Sequence, residues 1–277
     1  MQKRAWTDGT RTRPIAFRAS RSRARASAGL STPRRCRIVA GMSAQIRVMV
    51  ERGKKKRVVA SAFDWPGWDR SAKLDVDVLA VLEAYRPRYA AVAERAGLAD
   101  EFASSGELHV VEELDGMGMT DFYGVSGRTA APEYEPMTSA ECERKITLLR
   151  ASWATFDDVA ARVSPELRLG SRGGGRDRAA LVRHANGAEI YEFAKKVGVM
   201  TPLDARDSPE AMRAHRDAFC AAIREHNARG PAARTWTVQF LIRRCAYHQL
   251  DHAWEMEDRD LSSSGDAASP GGSSGAS

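Results

Sequence analysis

Two histidines stand four apart in Tyr247-His248-Gln249-Leu250-Asp251-His252, in a chain with six in all. On a helix they fall roughly 40° apart on one face, near enough to share a cation. Neutral imidazole is a ligand for zinc, nickel, iron or copper, so this pair can supply two ligands to one ion. The same face carries Leu241, Cys245, Glu255 and Met256, whereas Arg243, Arg244 and Arg259 fall mostly elsewhere. The histidines therefore turn with the apolar stripe, where an unpaired imidazole is costly unless hydrogen-bonded or metallated. His184 lies in a second apolar stripe with Ala180, Leu181, Ala188 and Tyr191 and is the third candidate ligand. Three protein ligands leave a coordination position open, the pattern of a catalytic rather than a structural ion. The competing reading of His184 is a ring hydrogen-bonded to a carbonyl.

Four neighbours could take part. Glu255, one turn beyond His252, can orient an imidazole or act as a base, or it can be a surface or capping carboxylate. Cys245 is either an extra ligand or a small buried hydrophobe. Arg172 and Arg176 flank Gly173-Gly174-Gly175 and could grip a carboxylate, or they could be part of a solvated loop. That glycine run lacks the Gly-Lys-Ser/Thr of a phosphate loop, which excludes nucleotide binding there.

The elements that must position these residues are helices. Thr138-Ser139-Ala140-Glu141 reads as a capping box before an apolar period through Ile146, Leu149, Trp153, Phe156 and Val159, ending at Pro165. Asp177 can cap a second helix reaching Val197, with Gly198 as its stop. A third spans Ser208–His226, and a fourth runs from about Thr235 to Arg259. Upstream, Gln45–Val50 and Arg57–Phe63 alternate around a turn at Gly53, which predicts a hairpin. Lys73–Ala96 has a helical period broken at Pro87, giving one kinked helix or two short ones. Glu107–Leu114 is a third strand, and Asp121-Phe122-Tyr123 would add a short fourth. The fold class expected is α+β: a small antiparallel α/β module over residues 44–135, then an up-down four-helix bundle over 138–260.

The formal charge of +7 suggests a nucleic-acid binder only until it is located. Eleven of the basic residues lie in 1–41 against the single acid Asp8, so that segment is +10 and the rest of the chain −3. Nucleic acid is therefore not an expected partner of the folded body. Residues 1–43 form a basic tail that can be read as a transit-type segment, as a polycationic arm, or as sequence upstream of a true start at Met42 or Met49. Residues 261–277 are a Ser/Gly-rich tail expected to be disordered. Neither a secretory core nor a membrane-length apolar run is present, and Cys36, Cys142, Cys220 and Cys245 form no CxxC pair, which together predict a reduced, cytoplasmic setting.

The run Arg172-Gly173-Gly174-Gly175-Arg176-Asp177-Arg178 ahead of His184, followed by His248-Gln249-Leu250-Asp251-His252-Ala253-Trp254-Glu255-Met256-Glu257-Asp258-Arg259, resembles the bacterial DinB-like (DinB/YfiT-like) superfamily. The resemblance covers about residues 138–260. It implies a four-helix bundle with a divalent ion on His184, His248 and His252, zinc or nickel being the expected metal. Members include thiol-dependent S-transferases and the mycothiol-dependent maleylpyruvate isomerase, while others have no settled reaction. The implied function is a metal-dependent enzyme acting on a small molecule with a low-molecular-weight thiol, compatible with a homodimer. The alternative is a non-enzymatic, metal-stabilised binding or stress-response protein. Residues 44–115 more loosely resemble a HicB-like fold.

Overall fold

The computed structural model describes residues 45–170, 175–230 and 236–262. The basic tail, Arg172, Gly173, Gly174, Thr235 and nearly all of the Ser/Gly-rich end lie outside the described residues.

The fold is α+β around a four-stranded sheet ordered β3-β2-β1-β4. β1 (Ile46–Arg52) and β2 (Arg57–Ala62) make the expected antiparallel hairpin, with Val50 opposite Ala60. Its turn is held by Asp121, whose carboxylate accepts from the backbone N–H groups of Lys54 (3.0 Å), Lys55 (3.1 Å) and Lys56 (2.8 Å). β3 (Asp69–Lys73) adds antiparallel to β2. Its Asp-Arg-Ser-Ala-Lys sequence has no β-branched residue and carries no strand signal.

The sheet is mixed, not antiparallel as expected, because β4 (Leu108–Asp115) pairs parallel to β1. A parallel neighbour needs a long crossover. Three short helices supply it: α1 (Val78–Glu83), α2 (Arg86–Arg95) and α3 (Ala99–Ala103). Pro87 sits in the first turn of α2, where its missing N–H costs nothing, so two helices form instead of one kinked helix. Asp121-Phe122-Tyr123 is not a strand but the end of helix α4 (Gly118–Tyr123), stopped by Gly124 at φ 70°.

Four longer helices follow. The Thr138 box closes as expected on α5 (Ser139–Arg162), with Glu141 N–H donating to Thr138 Oγ1 at 3.2 Å and Thr138 N–H to Glu141 Oε2 at 2.7 Å. Asp177 caps α6 (Arg178–Ala188) by accepting from Ala180 N–H at 2.7 Å. α6 does not run unbroken to Val197. It widens into a π turn at Glu189–Phe193 and tightens into a 3-10 turn at Ala194–Val197 before Gly198 at φ 79°. Glu189 sits at that widening, its buried carboxylate accepting from Arg216 Nε (3.2 Å) and Gln249 Nε2 (3.0 Å). Then come α7 (Pro209–Arg229) and α8 (Val238–Arg259), the latter capped by Thr237.

One apolar cluster runs from Val48, Val50 and Ala60 through Trp65, Trp68, Tyr89 and Phe102 to Leu148 of α5 and Leu250 and Trp254 of α8. Segments that differ in composition on either side of residue 136 thus share a core, and the described residues fall in one compact unit. The rings contribute more than area: Trp68 stacks on Tyr89 at 5.5 Å, and such pairs add about 0.5–1.5 kcal/mol. Gly67, at φ 93°, permits a close approach of loop to helix. A Cβ there would lie 2.9 Å from Leu250 Cδ1 and 3.0 Å from the Ala246 carbonyl carbon.

A buried polar seam also ties α8 to the sheet. Every guanidinium nitrogen of Arg243 donates: Nε to Glu133 Oε1 (2.7 Å), Nη1 to Asp69 Oδ2 and the Ser61 and Ser126 hydroxyls (3.1 Å each), and Nη2 to Glu133 Oε2 (2.9 Å) and the Arg128 carbonyl (3.0 Å). Lys145 of α5 joins this seam through Gln239 Oε1 (2.6 Å) and the Phe63 carbonyl (3.2 Å). Among the described residues no helix is long and apolar enough to cross a membrane.

Candidate metal centre

Leu181 and Ala185 of α6 pack with Ala253 and Met256 of α8, and that apolar contact sets the two helices side by side. The face of α8 turned by this burial presents His248 and His252, and the matching face of α6 presents His184. The ring centroids lie 4.7 Å (His248–His252), 5.0 Å (His184–His252) and 5.2 Å (His184–His248) apart. One ligand nitrogen from each falls within 4.8 Å of the other two, so the three could hold a metal ion. All three rings are half-buried. Phe193, delivered by the π turn, closes one side by packing edge-on to His248 at 5.5 Å.

Behind His252 runs a charged relay. Glu255 Oε2 meets His252 Nδ1 at 2.9 Å, and Glu255 Oε1 accepts from Arg259 Nη1 at 2.6 Å. Arg259 in turn donates from Nε to the Arg168 carbonyl (2.7 Å) and from Nη2 to the Arg176 carbonyl (2.9 Å). An ionised Glu255 keeps the proton of His252 on Nδ1 and leaves Nε2 as the free lone pair, the arrangement in which a carboxylate orients a metal-binding imidazole. The bond to His252 also holds the Glu255 carboxyl below its ordinary range.

Two of the donors, His184 and His248, are held in the neutral form that metal binding requires. Burial, then the proximity of His252, pushes His184 down to about 4 and His248 well below the usual histidine value. His248 Nδ1 is buried without a hydrogen-bond partner. A buried imidazole nitrogen with nothing to accept or donate is costly, so this orphan atom fits a site meant to meet a further group.

The remaining candidates separate. Arg176 is exposed, yet its charge reaches the centre and disfavours protonated His184 and His248. Arg172 lies outside the described residues. Cys245 is buried in the apolar cluster with Trp153 and Phe219 and does not join the ligand group. Arg259, placed mostly off this face from the sequence, belongs to the site after all. Its signal was the i, i+4 spacing from Glu255. Comparison with family models, curated proteins and solved structures gives no match for this chain.

Proposed function

We propose that this chain is a divalent-metal-dependent enzyme of the DinB-like class, a thiol-dependent S-transferase or isomerase acting on a small molecule, with α5–α8 forming an up-down four-helix bundle. The observation that carries this reading is the convergence of three histidines from α6 and α8, within 4.8 Å at their ligand nitrogens. Zinc or nickel suits an all-imidazole set. Such an ion, when bound, acidifies a coordinated thiol or water at neutral pH.

The protein's own groups then have distinct tasks. Glu255, fixed by Arg259, orients His252 and supplies negative charge behind it. Phe193 and the apolar contact between α6 and α8 shield the rings from water, which strengthens every electrostatic interaction inside. Three protein ligands leave room for an exchangeable group, the difference between a catalytic centre and a closed structural one.

Native mass spectrometry with elemental analysis tests the centre. The full chain is expected to retain about one zinc or nickel ion, as one such set of donors would hold. His184→Ala, His248→Ala and His252→Ala should each fall to background while keeping their helical circular dichroism. Undiminished metal in those variants would overturn the site. A cobalt-loaded protein whose visible spectrum ignores added thiol would instead make the ion a tie between helices, favouring the non-enzymatic alternative.

A further inference from the structure

Arg244 is only 4% exposed, and its Nε and Nη1 are both buried without an acceptor. The charged and titratable groups around it do not change that. Asp69, bonded through Oδ2 to Ser61 and Arg243, and Glu192 act on it only through space without a hydrogen bond, and Tyr247 offers the face of its ring at 5.6 Å. A guanidinium whose buried nitrogens lack acceptors costs stability, and such a cost is retained where a ligand offsets it.

Its position shows which ligand-binding face it serves. Arg244 precedes His248 by one turn of α8, the spacing at which side chains are neighbours. The centre is therefore flanked by a buried guanidinium with two nitrogens unpaired, while Glu255 is already occupied by His252 and Arg259.

We propose that Arg244 anchors the carboxylate of a small organic anion whose other end reaches the three-histidine centre. A guanidinium matches a carboxylate in geometry as well as charge, and its two unpaired nitrogens, Nε and Nη1, are donors still free to meet one. One helical turn is ~5.4 Å, so the carboxylate and the atom presented to the histidines stand a few bonds apart. The inference rests on reading the three-histidine face as the ligand-binding face, and it narrows the substrate or thiol to a carboxylate-bearing one.

The test compares 3-mercaptopropionate with its uncharged methyl ester on the full chain, wild type and Arg244→Met. Binding is read by thermal upshift of the metal-free protein and by spectral titration of the cobalt-loaded one. The acid should bind wild type at least about tenfold more tightly than the ester, and that preference should vanish in Arg244→Met with cobalt content unchanged. Equal binding of acid and ester to wild type, or a preference that survives the substitution, overturns the proposal. Displacement of the acid by inorganic phosphate overturns the carboxylate assignment. A misfolded Arg244→Met would also sink it, because Arg244 would then have a structural task. A preference for the acid in protein that takes up no metal refutes the metal centre and leaves the anchor standing. Metal uptake without any preference does the reverse.

Discussion

Arg243 and Arg244 leave α8 about 100° apart, and the two polar regions they enter differ in completeness. On the sheet side every nitrogen of Arg243 has an acceptor, two of them carboxylates, and the seam leaves only Asp69 Oδ1 without a partner. On the histidine side Arg244 Nε, Arg244 Nη1 and His248 Nδ1 are all buried and all unpartnered. The residue type is the same and so is the depth. A folded chain that satisfies one arginine so fully had the means to satisfy the other. The seam is architecture, finished when the chain folds, whereas the histidine face is left unfinished for something the chain does not itself supply.

Breaking both sides alike gives the largest effect. Arg243→Met strands Glu133 and Asp69 in the core and should cost about 3–5 kcal/mol of unfolding free energy in urea, the usual penalty for removing one member of a buried ion pair. Arg244→Met, a similar change at similar depth, strands nothing and should shift stability by less than about 1 kcal/mol or raise it. Equal losses in the two variants would erase the distinction between them.

Completeness of this kind is what a linear sequence conceals. The His248/His252 pair is legible because helical periodicity fixes both residues to one face, and the caps at Thr138 and Asp177 are legible because capping is a local rule. Bringing His184 opposite that pair depends on Leu181 and Ala185 docking against Ala253 and Met256, which no local rule states. β4 shows the same limit. Its alternation marks a strand but not its neighbour, so the parallel pairing with β1 follows only from the crossover through α1–α3. β3 has no strand propensity and exists because β2 offers it an edge. The π turn after α6 replaces a helix that the pattern continues. Arg244 is the extreme case, since burial without a partner is a property of its surroundings alone.

The seam itself contains a probe of how fully it is matched. Lys145 donates to two neutral oxygens but contacts no carboxylate, and burial pulls its ammonium down from 10.5 to about 8. Between those values the unfolded chain holds a proton that the folded chain has released. Stability therefore rises with pH across that window, by up to about 1.4 kcal/mol per unit. The difference in unfolding free energy between wild type and Lys145→Met should be flat below pH 8 and climb by about 3 kcal/mol toward pH 10.5. Urea titrations at half-unit intervals would show it. A flat difference throughout would mean that neutral acceptors alone satisfy a buried ammonium here, and completeness would then need no counter-charge.

The smallest effect comes from the one finished part of the unfinished side. Glu255 has both oxygens engaged, on His252 and on Arg259, so within the site it resembles the seam more than it resembles Arg244. Its purpose separates it from the seam. Glu255→Gln keeps the shape and an amide oxygen able to accept from His252 Nδ1–H but removes the charge, which makes the imidazole a weaker donor to an ion. Metal affinity, read by competition with a chromophoric chelator, should fall by about 10–100-fold, as is usual when the partner behind a metal-binding histidine is altered. The metal-free protein should unfold at nearly the wild-type urea concentration, because the half-exposed carboxylate bears little of the fold. If stability falls instead and affinity holds, Glu255 belongs to the architecture. The satisfied contacts around His252 would then be a second seam, and only His248 and Arg244 would remain unfinished.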